Sequence, residues 1–367
     1  MSGIPILRDL TPMGRIAVIV TLAISILGVL MEWVLGVHGT PLFVVSAAGI
    51  LGLAYVVGIS TERLGALAGP QAGGILNATF GNIAELIIAF FALTAGQMEV
   101  VKASITGSII GNLLLVLGAS FLFGGLRNGT QRFSAKVASL DATLLVLAVI
   151  GLFVPAIFAF SQGAGTGAGH RVEESVVVSM VLLALYFVNL FYRFKHPHDV
   201  LGGTEEPAEH AGPAWSAKTA FAVLGVAAAF LAILSESLVS SIDPFIEQFD
   251  LTPFFVGVIL IPTIGNLAEH LVGVQLALKN KMDFSMAVSI GSSQQVALFV
   301  APVLVLIGVV VGQPMDLVFA PLEVAAVAAA AATCALVSLD GESNWLEGAL
   351  LIGVYLILGV SFFYLGA

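Results

Sequence analysis

Gly81-Asn82-Ile83-Ala84-Glu85-Leu86 returns later in the chain as Gly265-Asn266-Leu267-Ala268-Glu269-His270, and these two stretches decide how the rest is read. Each sets a lone carboxylate inside a run of apolar residues. An ionised carboxylate in hydrocarbon is costly, so a residue placed there is a functional-site candidate by default. The two glutamates lie 184 residues apart, and the same offset relates Met98 to Met282, Glu99 to Asp283 and Gly107-Ser108 to Gly291-Ser292. Upstream, Ser60-Thr61-Glu62 resembles Ser235-Glu236, with a longer spacer in the second half. The chain therefore reads as two similar halves.

Composition sets the solvent. Of 367 residues, 59% are apolar and 10% charged, against roughly 25% charged in ordinary soluble domains. The mean hydropathy is +1.07, and apolar runs near the bilayer-spanning length of about 20 residues recur throughout. The fold class that follows is all-α, a polytopic membrane protein lodged in a lipid bilayer. Eleven transmembrane helices fit, over 16–37, 41–59, 72–96, 102–125, 137–160, 173–194, 217–242, 252–278, 283–311, 315–338 and 344–365. The first run follows Arg8 and Arg15, is long for a signal peptide and lacks a clear cleavage pattern, so it is taken as a membrane helix. The net charge of −10 comes with no basic patch, which argues against a nucleic-acid partner. The single cysteine, Cys334, excludes a disulfide within the chain.

Basic residues orient the helices. With the N-terminus in the cytoplasm, eleven Lys and Arg fall on the cytoplasmic side, and only Lys102 and Arg171 fall opposite, a strong positive-inside bias. The C-terminus is then outside. The expected organisation is an N-terminus and extra first helix over 1–40, a five-helix repeat over 41–194, an acidic cytoplasmic linker over 195–216 and a second five-helix repeat over 217–367. An odd number of helices per repeat inverts one repeat relative to the other. Inverted repeats characterise secondary transporters, whose ion sites lie near the midplane between repeats.

The chemistry centres on oxygen. Asn82 and Glu85, like Asn266 and Glu269, are spaced to share one helical face. Pro262 has no backbone N–H and its ring crowds the carbonyl of Val258, so a break of the eighth span is expected there. Carbonyls freed in a membrane helix must find partners or line a cavity. Before the first copy, Gly73, Gly74, Asn77 and Gly81 would supply the flexibility; Gly81 and Gly265 open the two motifs. Ser108, Asn112, Ser292 and Gln295, on the spans after each motif, fit the same site, and Gly107, Gly111 and Gly291 would let helices approach closely. Carboxylates, amides and carbonyls suit a hard divalent cation such as calcium, which takes six to eight oxygens in flexible geometry. Two carboxylates neutralise one such ion, and protons are the simplest replacement when it leaves. An exchange cycle follows: metal bound to two ionised glutamates, or protons bound with the metal gone.

Blander uses compete. Ser108 and Ser292 also suit helix packing, and Glu62 and Glu236 suit solvated helix ends as well as ion guidance or gating. His270 neighbours Glu269 but points about 100° away around the helix, and is a candidate proton relay or gating residue. Asp243, Glu247 and Asp250 read as a solvated acidic mouth, and His196, His198 and His210 as a solvated loop. No role emerges for Glu32, Asp141 or Glu323.

Gly81-Asn82-xx-Glu85 and Pro262-xx-Gly265-Asn266-xx-Glu269-His270, with Gly291-Ser292-Ser293-Gln294-Gln295 downstream, resemble the two repeats of the calcium/proton exchangers of the calcium:cation antiporter superfamily. The resemblance covers the chain after the first helix. It implies that Glu85 and Glu269 alternately bind Ca2+ and H+, that Ser108, Asn112, Ser292 and Gln295 serve as ligands or line the ion path, and that 41–59 and 217–242 slide to open the site to either side. Calcium is then the transported substrate, and no cofactor is called for. A prokaryotic cell (inner) membrane is the implied location, and the sequence is compatible with a homo-oligomer. Sodium/calcium exchangers of the same superfamily are the nearest alternative; their motifs are Ser/Thr-rich with a proline beside the acid, whereas Ala84 and Ala268 stand here. Manganese as substrate, an intramembrane metal-dependent hydrolase and a passive cation channel are more remote.

Overall fold

The computed structural model describes residues 11–68, 76, 80–162, 170–196 and 215–364. Apolar composition makes the chain helical, and its helix ends are built from side chains that satisfy the backbone. The long helices are α1 (Pro12–Trp33), α2 (Thr40–Ala68), α3 (Ile83–Thr94), α4 (Met98–Asn128), α5 (Ala135–Gln162), α6 (Arg171–Lys195), α7 (Ala217–Ser240), α8 (Pro253–Leu278), α9 (Met282–Val311), α10 (Pro321–Val337) and α11 (Trp345–Tyr364). Thr11 accepts the N–H of Gly14 at 3.1 Å to start α1, with Pro12 in the first turn where no N–H is needed. Thr252 and Pro253 repeat the device at α8. Glu323 reaches back to the N–H of Ala320 at 2.8 Å to close the start of α10.

Among the described residues nine helices are long and apolar enough to cross a bilayer, while α3 and α10 are shorter apolar helices. The protein is a multi-pass integral membrane protein. Large apolar side chains such as Val188, Val310 and Ile357 project outward, as they should where lipid replaces water.

Helices α4 and α9 begin 184 residues apart, and each widens into π-helical turns at a corresponding place, Gly111–Val116 and Val296–Val300. Single π turns inside α-helices frequently mark functional sites. The expected break at Pro262 takes a different form. α8 runs on without unwinding, through π-helical turns at Val256–Leu260 into the α-helical stretch Ile261–Leu278, with Pro262 in its first turn. The wider turn makes room for the ring without ending the helix. Gly107 of α4 lies against this place: a Cβ there would come within 2.1 Å of the Val258 carbonyl oxygen and 2.7 Å of the Pro262 ring. Its missing side chain lets α4 close over the Val258 carbonyl, from which Pro262 withholds the usual α-helical donor. Gly111 and Gly291 do not act this way, since a Cβ on either would meet nothing within 4 Å. The acidic segment after α7 is also not a loop; Asp243 and Glu247 lie on a short helix, Ile242–Phe249, closed by Asp250 at φ 52°. Gly73, Gly74, Asn77 and most of the linker, including His198 and His210, lie outside the described residues.

Contacts divide the chain into two compact units. The first holds described residues from 1–91, 203–251 and 264–268. In it α1, α2 and α7 pack on one another. Glu32 of α1 accepts the hydroxyl of Ser237, Thr40 donates to Gln248, and Phe43 stacks on Phe245 at 4.1 Å.

The second unit holds those from 92–202, 252–263 and 269–367. Here α4 packs on α11, α10 and the π turn of α8, while α5 packs on α6, α9 and α10. At one end Gln131 donates to the carbonyl of Ala277 and to Asn280, each at 2.9 Å. At that end also, Asp283 accepts the N–H of Ser134 at 2.7 Å, and β1 (Gln131–Arg132) pairs antiparallel with β2 (Glu342–Ser343). At the other end Lys102 pairs with Asp316 and donates to the Val318 carbonyl at 2.9 Å, and Ser175 accepts the N–H of Leu317.

Candidate functional site

Glu85 stands in the first turn of α3, where the unsatisfied N–H groups of a helix start favour a negative charge. It is buried, as is Asn82, which precedes the helix and accepts the N–H of Leu86 at 3.0 Å. The two motif copies thus differ locally. Asn82 and Glu85 sit at a helix entrance, whereas Asn266 and Glu269 lie within the continuous α8.

In the first unit the motifs meet. A Cβ on Gly265 would fall 3.1 Å from Cγ of Glu85, so the acid of the first motif packs directly on the backbone of the glycine that opens the second. Asn266, the next residue, is 1% exposed. Glu269 follows one helical turn after Gly265 on α8.

In the second unit Glu269 is half-buried and accepts a hydrogen bond from the Ser292 hydroxyl. Ser292 in turn accepts from the Asn112 side-chain amide at 3.0 Å. The result is a directed chain from amide to hydroxyl to carboxylate. The acid of the second motif is therefore served by an amide carried on the π turn of α4, the helix that begins a few residues after α3. The other carboxyl oxygen of Glu269, Oε2, is inaccessible and accepts no hydrogen bond among the described residues. A carboxylate oxygen left without a hydrogen bond is the donor type a hard cation takes, and it equally accepts a proton.

The remaining candidates fall into separate places. Ser108 is buried on α4 and Gln295 half-buried on α9. Pro262 is buried beneath Gly107. Glu62 and Glu236 are exposed on α2 and α7, apart from the buried positions. His270 is buried with Nε2 making no hydrogen bond among the described residues, and it is no member of the Asn112–Ser292–Glu269 chain. The acids with no assigned role have partners: Glu32 with Ser237, Asp141 with Arg193, and Glu323 with Thr106 at 2.9 Å. Spacing along one helix cannot reveal these pairs, because their members lie on different helices.

Comparison with known proteins agrees with the motifs. A family model described as "Sodium/calcium exchanger protein" matches residues 38–195 and 219–364. The Ca(2+)/H(+) antiporter of Aphanothece halophytica is 42% identical over 355 residues, spanning 93% of this chain and 94% of that protein. The Ca(2+)/H(+) antiporter ChaA of Bacillus subtilis is 41% identical over 360 residues, spanning 96% of this chain and 100% of that protein. Among solved structures, native YfkE superposes with a TM-score of 0.81 at 36% identity, covering 95% of this chain and 99% of that one. With its two motif copies, its helical architecture and relatives matched along nearly its whole length, this chain belongs to the sodium/calcium exchanger protein family.

Proposed function

We propose that this protein is a secondary active antiporter that exchanges cytosolic Ca2+ for H+ by alternating access, with Glu85 and Glu269 alternately holding the metal and protons. It is a transporter rather than an enzyme. The observation that carries this reading is the packing of Glu85 on Gly265, one turn before Glu269 on the same helix. The relatives named Ca(2+)/H(+) antiporters support the same pair of ions. Neutral Ala84 and Ala268 stand where extra sodium ligands would be expected, which favours protons over sodium as the counter-ion.

Asn82, Asn266, Ser108, Asn112, Ser292 and Gln295 complete the proposed oxygen environment. The chain from Asn112 through Ser292 leaves Oε2 of Glu269 without a hydrogen bond among the described residues, a ligand atom for the ion. Glu62 and Glu236 are assigned to the ion path rather than to the site, and His270, Pro262, Gly81 and Gly265 to the shape of the path.

The finer architecture is eleven spans, with α3 and α10 counted among them, arranged as one extra helix and two inverted repeats divided at the linker. The N-terminus lies in the cytoplasm and the C-terminus outside. Matching starts and π turns in α4 and α9 support the repeat. The meeting of loops 128–134, 277–283 and 342–343 at one end of the second unit supports the alternation, because all three should share a side.

The test is transport by the purified protein in sealed vesicles. Imposing a pH gradient should drive Ca2+ uptake without sodium, and Glu85→Gln or Glu269→Gln should abolish it while the protein stays folded. Uptake that needs sodium and ignores pH, or that survives both substitutions, would overturn the proposal.

A further inference from the structure

Gln294 lies on α9 two residues beyond Ser292, about 200° around the helix axis, so it faces away from Glu269. It is 3% exposed. Its side-chain amide donates to the backbone carbonyl of Asp141 at 2.6 Å. Asp141, itself 4% exposed, pairs with Arg193 near the end of α6, and Arg193 is steadied by Asn189 at 3.2 Å. The segment immediately after Gln295 is the π turn Val296–Val300, a helical irregularity of the kind found at functional sites.

We propose that Gln294, clamped by Asp141 and Arg193, is a positioning group that fixes the rotation of α9 and so presents the Ser292 hydroxyl to Glu269. This rests on the exchange function proposed above. A helix that carries a ligand-bearing face needs a rotational anchor on its opposite face, and a buried, directional amide hydrogen bond supplies one that apolar packing does not. The corresponding position of the first half is Ile110, so the anchor belongs to one half only. Asp141 accepts from Arg193 through its carboxylate and from Gln294 through its backbone carbonyl.

The experiment is a double-mutant cycle on Ca2+ uptake driven by a pH gradient, in vesicles holding the full chain. The variants are Gln294→Leu, Ser292→Ala and the pair. Loss of a single neutral hydrogen bond corresponds to about a three- to tenfold effect. Gln294→Leu should raise the Ca2+ concentration for half-maximal uptake by that order, with maximal rate little changed, and shift the pH profile in the same direction as Ser292→Ala. The double variant should match Ser292→Ala alone, because groups acting through one contact are not additive. Asp141→Asn, which keeps the backbone carbonyl, should retain part of the effect of Gln294. Independent, multiplied effects, or a fall in maximal rate alone, would overturn the positioning role. If Gln294→Leu does not fold, Gln294→Asn, whose amide is one methylene short, replaces it in the same cycle. Failure of Glu269→Gln to abolish exchange would instead strike the proposed function itself.

Discussion

Gly265 shows how one missing side chain sets a carboxylate. The space a Cβ would take lies 3.1 Å from Cγ of Glu85, tighter than ordinary van der Waals contact. Gly265→Ala should therefore push Glu85 by a few tenths of an ångström, and Gly265→Val by more. Since displacement of a reacting group by about 1 Å can lower rates by about 100-fold, Gly265→Val is expected to reduce Ca2+ uptake at least about tenfold. Uptake should fall while the thermal unfolding temperature in detergent changes little; a variant with normal uptake would separate Glu85 from the ion path. In the sequence this glycine reads only as the opener of the second motif and a residue of the ion path. That it is the seat of the other motif's acid is a contact between residues 180 apart.

At the scale of helices, Pro262 and Gly107 act as a pair. Proline withholds the α-helical donor from the Val258 carbonyl, the π turn at Val256–Leu260 admits the ring, and Gly107 lets α4 close over that oxygen. Any Cβ at Gly107 meets backbone at 2.1 Å, so the helices must separate. Gly107→Ala is expected to destabilise the fold by about 1–3 kcal/mol, seen as a lower unfolding temperature. Gly111→Ala is the control, since a methyl there meets nothing within 4 Å and replacing a helical glycine by alanine is worth about 0.5–1 kcal/mol in favour of the helix. Equal losses at both positions would refute the close-approach account. The helices themselves were legible from hydropathy, and the proline as a local disturbance. Whether the disturbance becomes a break or a π turn depends on what packs against it, which hydropathy does not encode.

For the molecule as a whole, the alternation of spans makes a directional prediction. Arg132 and Glu173 lie on exposed ends flanking α5, with side chains 84% and 75% exposed. A membrane-impermeant maleimide should label Glu173→Cys from outside the cell and Arg132→Cys only in inside-out vesicles. The native Cys334, 0% exposed, should stay unlabelled until the protein is denatured. Labelling of both engineered positions from one side would break the proposed topology. By itself the sequence determined the solvent, the helical class and the pair of acids on which the proposed oxygen site is built, because the cost of charge in hydrocarbon and the 184-residue echo are properties of the chain written in one line. Only the tertiary structure decided that Glu85 rests on Gly265, that Asn112 and Ser292 form a chain to Glu269, and that Gln294 turns to Asp141. Those are contacts between helices, and they depend on rotation and approach about axes that no spacing along a single helix specifies.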